Sequence, residues 1–528
     1  MKNIFALLAF SSLFLLMACE QDGSNAQGQA SESNALTVLA GSELKDIEAL
    51  LPGIAKATGI SLQLKYAGTL DAVERLAAGE DYDLAWLASN RYAMLTPEVK
   101  ARIAASERTM LTPVVLGIKE RKAKALGWID DPDITWKDIA EAAKQGKFTF
   151  GMTSPTSSNT GFSALLGLAA ALSGKGDALE AKDIDMESLV AFFKAQRLTS
   201  GSSGWLAEAY RDDQDKVDGL INYSSSLQML NRDSRIRQKL ALIYPRDGIV
   251  TADYPIMLLD AAKRDAYGKL VAYLHGATFQ RAMTRATLRN PVNPDIPSAA
   301  QVPSRPLAEL PFPAGRGVVD VILSAFDNEL RLPADSTFVM DVSGSMNGRR
   351  IENLKKAMLN LAGADDTVSG RFTRFRNRER IYLLPFNNSF GRPEYFDMGS
   401  APQFNRETLE KLGRYVRNLR ARGGTAIFLA AREAYREAAL RRRDAPDRFY
   451  SIVLMTDGQN NQGIDMDGFM RWYRELPEAD KGIRIFPILF GEADPKELQQ
   501  LAELTTGKVF DGRKSGLPAI FKEIRGYQ

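Results

Sequence analysis

The sequence predicts two α/β bodies in tandem, an expectation carried by three observations. Short apolar runs alternate with amphipathic helical stretches on both sides of the middle of the chain, a proline-rich seam interrupts that alternation, and no repeat of fixed period spans the two sides. The length, 528 residues, suffices for several units that each bury a core. Hydrophobic residues at 45% and charged residues at 25% are the proportions of folded globular protein, which excludes general disorder and a multi-span membrane protein.

Lys2 precedes an apolar run from Ile4 to Ala18, broken only by Ser11 and Ser12. That is too short for a membrane span and suits the core of an export signal. The run closes on Leu16-Met17-Ala18-Cys19, which resembles the lipobox of bacterial lipoproteins. The resemblance implies a signal peptide over 1–18, lipidation at Cys19 and a flexible tether over 19–34, where Gln, Ser, Asn and Gly dominate. Cys19 is the only cysteine, so no intramolecular disulfide can form. By the same analogy Glu20 favours the outer membrane. The expected product is an exported lipoprotein, membrane-anchored and facing the periplasm or the cell exterior.

The first body is expected over 35–290. Leu36 to Ala40 and Leu62 to Tyr66 read as strands, each followed by a stretch of helical period, Leu44 to Thr58 and Leu70 to Ala78. Leu84 to Leu87 and Phe148 to Met152 are further buried runs, the latter leading into an apolar helix over Phe162 to Leu172. The segments LTVLAGSELKDIEALLPGIAKATG, YDLAWLASNRY, GMTSPTSSNTGFSALLGLAAAL and KLALIYPRDGIVTADYPIMLLD resemble bacterial extracellular solute-binding proteins of the two-lobed, molybdate- and sulfate-binder-like class. The resemblance implies a periplasmic-binding-protein-like pair of lobes, with crossings near Thr109 to Ile118 and Leu240 to Leu258.

In such lobes a ligand sits where strands end and helices begin, because free backbone N–H groups and the helix dipole favour an oxyanion there. Ser42, Ser89, Asn90, Ser157, Ser158, Asn159, Thr160, Tyr223 and Ser224 occupy such loops and are the candidate ligand-binding residues. The loops carry no Lys or Arg, which points to a small polar or anionic ligand held by neutral donors. Each hydroxyl or amide also suits a plain helix cap.

Between Pro291 and Pro313 stand seven of the 23 prolines, so 291–317 is expected to be a stiff linker. The second body is then expected over 318–528. Ser336 to Met340 is an apolar strand ending in Asp341-Val342-Ser343-Gly344-Ser345, with a helix over Ile351 to Leu361. Gly423-Gly424-Thr425 opens another helix, and the strand Ser451 to Met455 ends in Thr456-Asp457-Gly458. Ile381 to Pro385 and Ile483 to Phe490 are further candidates for a parallel sheet.

The pieces FVMDVSGSM, GGTAIFLAA and YSIVLMTDGQNN, in this order, resemble a von Willebrand factor A (VWA) domain. The resemblance implies a Rossmann-like fold with a mostly parallel sheet flanked by helices, and a metal-ion-dependent adhesion site holding Mg²⁺ or Mn²⁺. Ser343, Ser345 and Thr425 would contact the metal, while Asp341 and Asp457 would act largely through bound water. Hard cations favour such oxygen donors. The implied partner is a protein that offers an acidic residue to the metal.

A single histidine, His275, and the lack of a nucleotide-binding glycine loop argue against an enzyme. A net charge of +3 over this length, on an exported chain, gives no reason to expect a nucleic-acid partner. Arg371, Arg374, Arg376, Arg378 and Arg380 around Glu379, and Arg441-Arg442-Arg443, read first as solvated basic surface, or else as contacts for anionic headgroups, lipopolysaccharide or an acidic partner. The expected function is therefore that of a non-enzymatic, lipid-anchored binding protein with a small-ligand cleft and a metal-dependent adhesion site. The alternative is the substrate-binding component of an ABC-type transport system, with the second body as its docking module.

Overall fold

The computed structural model describes residues 35–528 except 130, 300–302, 304, 365–373, 492, 514–515 and 528. The expected signal peptide, Cys19, the tether and Arg371 lie outside the described residues. Among those described, no helix is long and apolar enough to cross a membrane.

Three sheets, each covered by helices, organise the chain. The first runs in the order Ser61–Ala67, Ala35–Gly41, Leu84–Trp86, Pro255–Leu258, Ala105–Arg108, the first three parallel and the last two joined antiparallel. The second is built around the long strand Met110–Lys119, which pairs with Gly219–Tyr223, Val250–Ala252, Leu240–Ile243 and Asn290–Pro291; Phe150–Thr153 and Gln196–Ser200 extend it. The chain crosses from the first sheet to the second between Arg108 and Met110, and back between Ala252 and Pro255, near the expected crossings.

The third sheet runs Glu394–Asp397, Arg380–Phe386, Ala334–Asp341, Phe449–Thr456, Arg484–Leu489, Phe510–Asp511, parallel except at its first strand. All eight residues of Ala334–Asp341 are buried, the polar Asp335, Ser336 and Thr337 included, as suits a central strand covered on both faces. Later strands are added first to one side of this strand and then to the other, and such a switch point opens a crevice at the carboxyl ends of the strands.

The seam does not leave the two bodies apart. The helix Arg316–Ala325 and the turn after it bury Val319, Ile322, Leu323, Phe326 and Leu330 in the core of the first body. The Phe326 ring meets Phe193 edge-on at 5.3 Å, and the Arg316 guanidinium lies 5.5 Å from the centre of the Tyr92 ring. Physically, then, residues 316–330 pack backward onto the first body, and the strand Ala334–Asp341 begins the second.

The arginine clusters are fasteners rather than free basic surface. Glu379, 1% exposed, accepts from Arg331, from Arg525 at 2.7 Å and from the backbone N–H of Arg376 at 3.0 Å. Its carboxyl is buried, but the Arg525 and Arg331 guanidinium charges hold it below the usual range. Arg376 pairs with Asp327 at 2.8 Å, and Arg378 donates to the carbonyls of Asn328 and Arg331. Arg441 reaches Asp335 at 2.8 Å across the face of Tyr382, and Arg443 pairs with Asp480. These pairings span the chain from 327 to 525, so local sequence cannot show them.

Candidate functional site

At the carboxyl edge of the third sheet the structure gathers the oxygen residues that the sequence singles out. Asp341 ends its strand fully buried; Oδ1 accepts from the Ser343 backbone N–H at 2.8 Å and Oδ2 from the Thr456 hydroxyl at 2.7 Å. Those bonds fix the turn that presents Ser343 and Ser345, whose hydroxyls lie 3.0 Å apart. Ser345 donates onward to Asp457 Oδ1 at 2.7 Å. The loop carrying Thr425 is tied to the same place by the Gly344 N–H donating to Gly423 O at 2.9 Å and the Thr425 N–H donating to Asn461 Oδ1 at 2.8 Å. A methyl group built on Gly458 would lie 3.4 Å from Thr425 Oγ1 and 3.5 Å from Ser345 Oγ, so these hydroxyls share one small space.

The electrostatics of this space favour a cation. Asp341 and Asp457 are both fully buried, and burial together with the charge of Asp457 pushes the Asp341 carboxyl above its ordinary range, against the hydrogen bonds from Ser343 and Thr456. The Arg350 guanidinium pairs with Asp457 Oδ2 from a partly exposed position. Among the described residues no group of three or more His, Cys, Asp or Glu is placed to hold a metal. An ion here would be held by hydroxyls backed by carboxylates, and the shared space beside Gly458 fits a small, hard, oxygen-seeking cation.

In the first body a cavity of about 730 Å³ lies between the lobes, within the range of small-ligand sites. Ser42, Ser157 and Tyr223 line it, and helices begin beside it at Ser42, Thr69, Ser203 and Ser224. Asn159 lies behind the wall, donating to the Tyr223 hydroxyl at 3.0 Å, and Thr160 bonds to Ser203. Ser158 is buried with no hydrogen-bond partner for its hydroxyl among the described residues, and Ser224 lies 3.3 Å from the Thr112 hydroxyl. Ser89 and Asn90 do not line the cavity: Ser89 accepts from the Arg91 N–H, and Asn90 donates to Ser106.

Charged residues that the loops do not advertise also line this cavity. Arg289, 3% exposed, donates to both carboxylate oxygens of Asp46 at 2.9 and 2.8 Å and lies 4.4 Å from the centre of the Tyr254 ring. Glu43 accepts from the Tyr223 hydroxyl at 3.2 Å, and burial pushes its carboxyl up against its own backbone N–H, Arg289 and Tyr223. The expectation of a cleft furnished with neutral donors alone is therefore corrected. The available signal was the lone Arg289 in the otherwise apolar and neutral run Ala286-Thr287-Leu288-Arg289-Asn290-Pro291 at the end of a helix.

Residues 36–289 match the family model of the bacterial extracellular solute-binding protein, and residues 335–523 that of the von Willebrand factor type A domain. The chain joins a solute-binding domain to a VWA domain. Similar solved structures include the periplasmic binding protein AfuA from Actinobacillus pleuropneumoniae, with fructose-6-phosphate bound; it is 12% identical with a TM-score of 0.44, over 56% of this chain and 98% of that one. The ferric binding protein from Campylobacter jejuni is 13% identical with a TM-score of 0.42, over 55% of this chain and 96% of that one.

Among curated proteins, the chain is 30% identical over 148 residues to the uncharacterized protein sll0103 of Synechocystis, covering 28% of this chain and 30% of that protein. It is 29% identical over 135 residues to inter-alpha-trypsin inhibitor heavy chain H4 of Sus scrofa, covering 25% of this chain and 13% of that protein. The chain thus spans less than a third of the length of either curated relative. The oxygen cluster belongs to the VWA domain, and the cavity opens between the two lobes of the solute-binding domain.

Proposed function

We propose that this chain is an exported, lipid-anchored binding protein without catalytic activity, whose VWA domain engages a protein partner through a divalent metal. Ser343, Ser345 and Thr425 would hold Mg²⁺ or Mn²⁺, with Asp341 and Asp457 acting largely through bound water. When bound, the ion supplies an electrophilic position for a carboxylate of the partner. The observation that carries this reading is the hydrogen-bonded chain from Asp341 through Ser343 and Ser345 to Asp457, with Thr425 across the same small space. Asp341 keeps the serine turn in shape from beneath. Arg350, partly exposed on Asp457, occupies the place that a cation would contest.

The cavity of the solute-binding domain takes a small polar or anionic solute. Four helix beginnings at its wall and the buried Arg289 support that class, because free N–H groups and a guanidinium both favour oxyanions. The test is affinity capture on the immobilised full chain, once with Mg²⁺ and once with EDTA. A partner retained only with Mg²⁺, and lost on Ser345→Ala, supports the reading; identical captures with and without chelator contradict it.

A further inference from the structure

The cavity between the lobes is walled on one side by the other domain. Besides the lobes, its wall includes Lys508, Phe521, Lys522, Glu523 and Tyr527 of the VWA domain. Lys522, on the helix Leu517–Arg525, donates to Asp71 of the solute-binding domain at 2.8 Å, and both side chains are less than one-fifth exposed. Tyr527 packs on Trp205 with ring centres 4.9 Å apart, and the Lys508 ammonium lies 4.1 Å from the centre of the Trp205 ring. Backbone contact is equally close: a methyl group built on Gly526 would come within 2.8 Å of Ser157 Oγ and 3.0 Å of Gly201 Cα. Ser157 is also the residue against which the lobes shut, since a methyl group on Gly68 would fall 2.3 Å from its carbonyl oxygen.

On its other side the helix is bound firmly to its own domain. Arg525 donates to the buried Glu379 at 2.7 Å, and Tyr527 and Phe521 pack against Phe486 and Phe338. One face of the helix is thus core of the VWA domain, while the other, with Lys522 and Gly526, lies against the cleft.

We propose that the solute site is a chamber shared by both domains, with the helix Leu517–Arg525 and Tyr527 as a removable wall on one side, so that passage of a solute past Ser157 is slowed while this wall rests on Asp71, Ser157 and Trp205. This rests on the reading of the cleft as a solute site. It adds that the VWA domain governs access, the part lids play elsewhere. The chamber keeps about 730 Å³ with the wall in place, so a small solute fits beside it.

The test needs no knowledge of the solute. On a Cys19→Ser background, which removes the only native thiol, Ser157→Cys places a thiol beneath the wall and Ala125→Cys places one on an exposed surface elsewhere. Labelling of the full chain by a maleimide is expected to be at least about tenfold slower at 157 than at 125, as burial of a thiol restricts its reaction. Lys522→Glu, which sets a carboxylate against Asp71, should bring the rate at 157 towards that at 125. The exchange Lys522→Glu with Asp71→Lys should slow it again, a rescue that mere unfolding does not give. As a second measurement, Ser157→Cys with Gly526→Cys should form a disulfide on mild oxidation, the close approach suiting that bond.

Equal labelling at 157 and 125 in the parent, or no change on Lys522→Glu, overturns the shared chamber. A cleft that binds none of a panel of sulfate, phosphate, sugars and amino acids, yet shows protected labelling at 157, speaks against the solute reading and leaves the wall standing.

Discussion

Gly458→Ala separates the metal site from the stability of the fold. The added methyl would lie 3.4 Å from Thr425 Oγ1 and 3.5 Å from Ser345 Oγ, which is ordinary contact, and the Gly458 backbone is not in the left-handed region. The metal-free variant should therefore be as stable as the parent, or gain about 0.4 to 1 kcal/mol through the restricted unfolded chain. The methyl nevertheless takes up the space that Thr425 and Ser345 share, where a small cation and its waters would sit. A ligand at one hundred times its Kd stabilises by about 2.7 kcal/mol. For a domain of this size each kcal/mol moves Tm by roughly 2 to 4 °C, so the parent should rise by about 5 to 11 °C. Thermal unfolding with 5 mM Mg²⁺ and with EDTA reads this directly. The parent should show the rise and the variant should lose most of it; a variant that keeps the full rise refutes the placement of the ion between these hydroxyls.

Further outcomes follow from particular contacts. Glu379→Gln leaves Arg331 and Arg525 buried without their carboxylate, which should cost about 3 to 5 kcal/mol in denaturant unfolding. A loss below about 1 kcal/mol would mean that the arginines reach solvent. Gly68→Ala drives a methyl into the Ser157 carbonyl, so it should open the lobes and enlarge the radius of gyration in small-angle scattering; an unchanged profile would show that the lobes do not close on that contact. Burial, with Arg484 and Arg442 nearby and only Asp213 opposing, pushes Lys216 down to about 8. The unfolded chain then binds more protons than the folded one above that value, so stability should rise from pH 8 towards pH 10 on this account. Lys216→Met should abolish that part of the rise, and a variant whose pH profile matches the parent's contradicts it.

How much of this was legible follows from the range of each signal. Apolar runs placed the strands that begin at Ala35, Ala334 and Phe449, because burial on both faces writes itself into consecutive residues, while the edge strand at Ser61 showed itself by alternation. The oxygen residues of the VWA domain were legible for a related reason: each lies at the end of such a strand or at the start of a helix, so order along the chain carried their convergence. Ser89 and Asn90 lie outside the cavity lining and bond locally, because a hydroxyl or amide after a strand serves a local turn as readily as a ligand.

The contact that brings Arg289 to Glu43 was not legible, since it closes a separation of 246 residues and the lone Arg289 at a helix end signals only that the residue is unusual there. The same holds for the arginines around Glu379, whose partners come from Arg331 and Arg525. Nor does the proline seam announce that Val319, Ile322 and Phe326 turn back into the core behind them, because amphipathic period reports a buried face but not the neighbour that buries it.

Isothermal titration of Mn²⁺ into the full chain, repeated with Asp341→Ala and with Ser345→Ala, addresses the metal-dependent adhesion site most directly. One ion per chain should bind in the parent, with both variants losing it while their circular dichroism stays that of a folded protein. A parent that takes up no ion, or variants that bind it as tightly, would contradict the account.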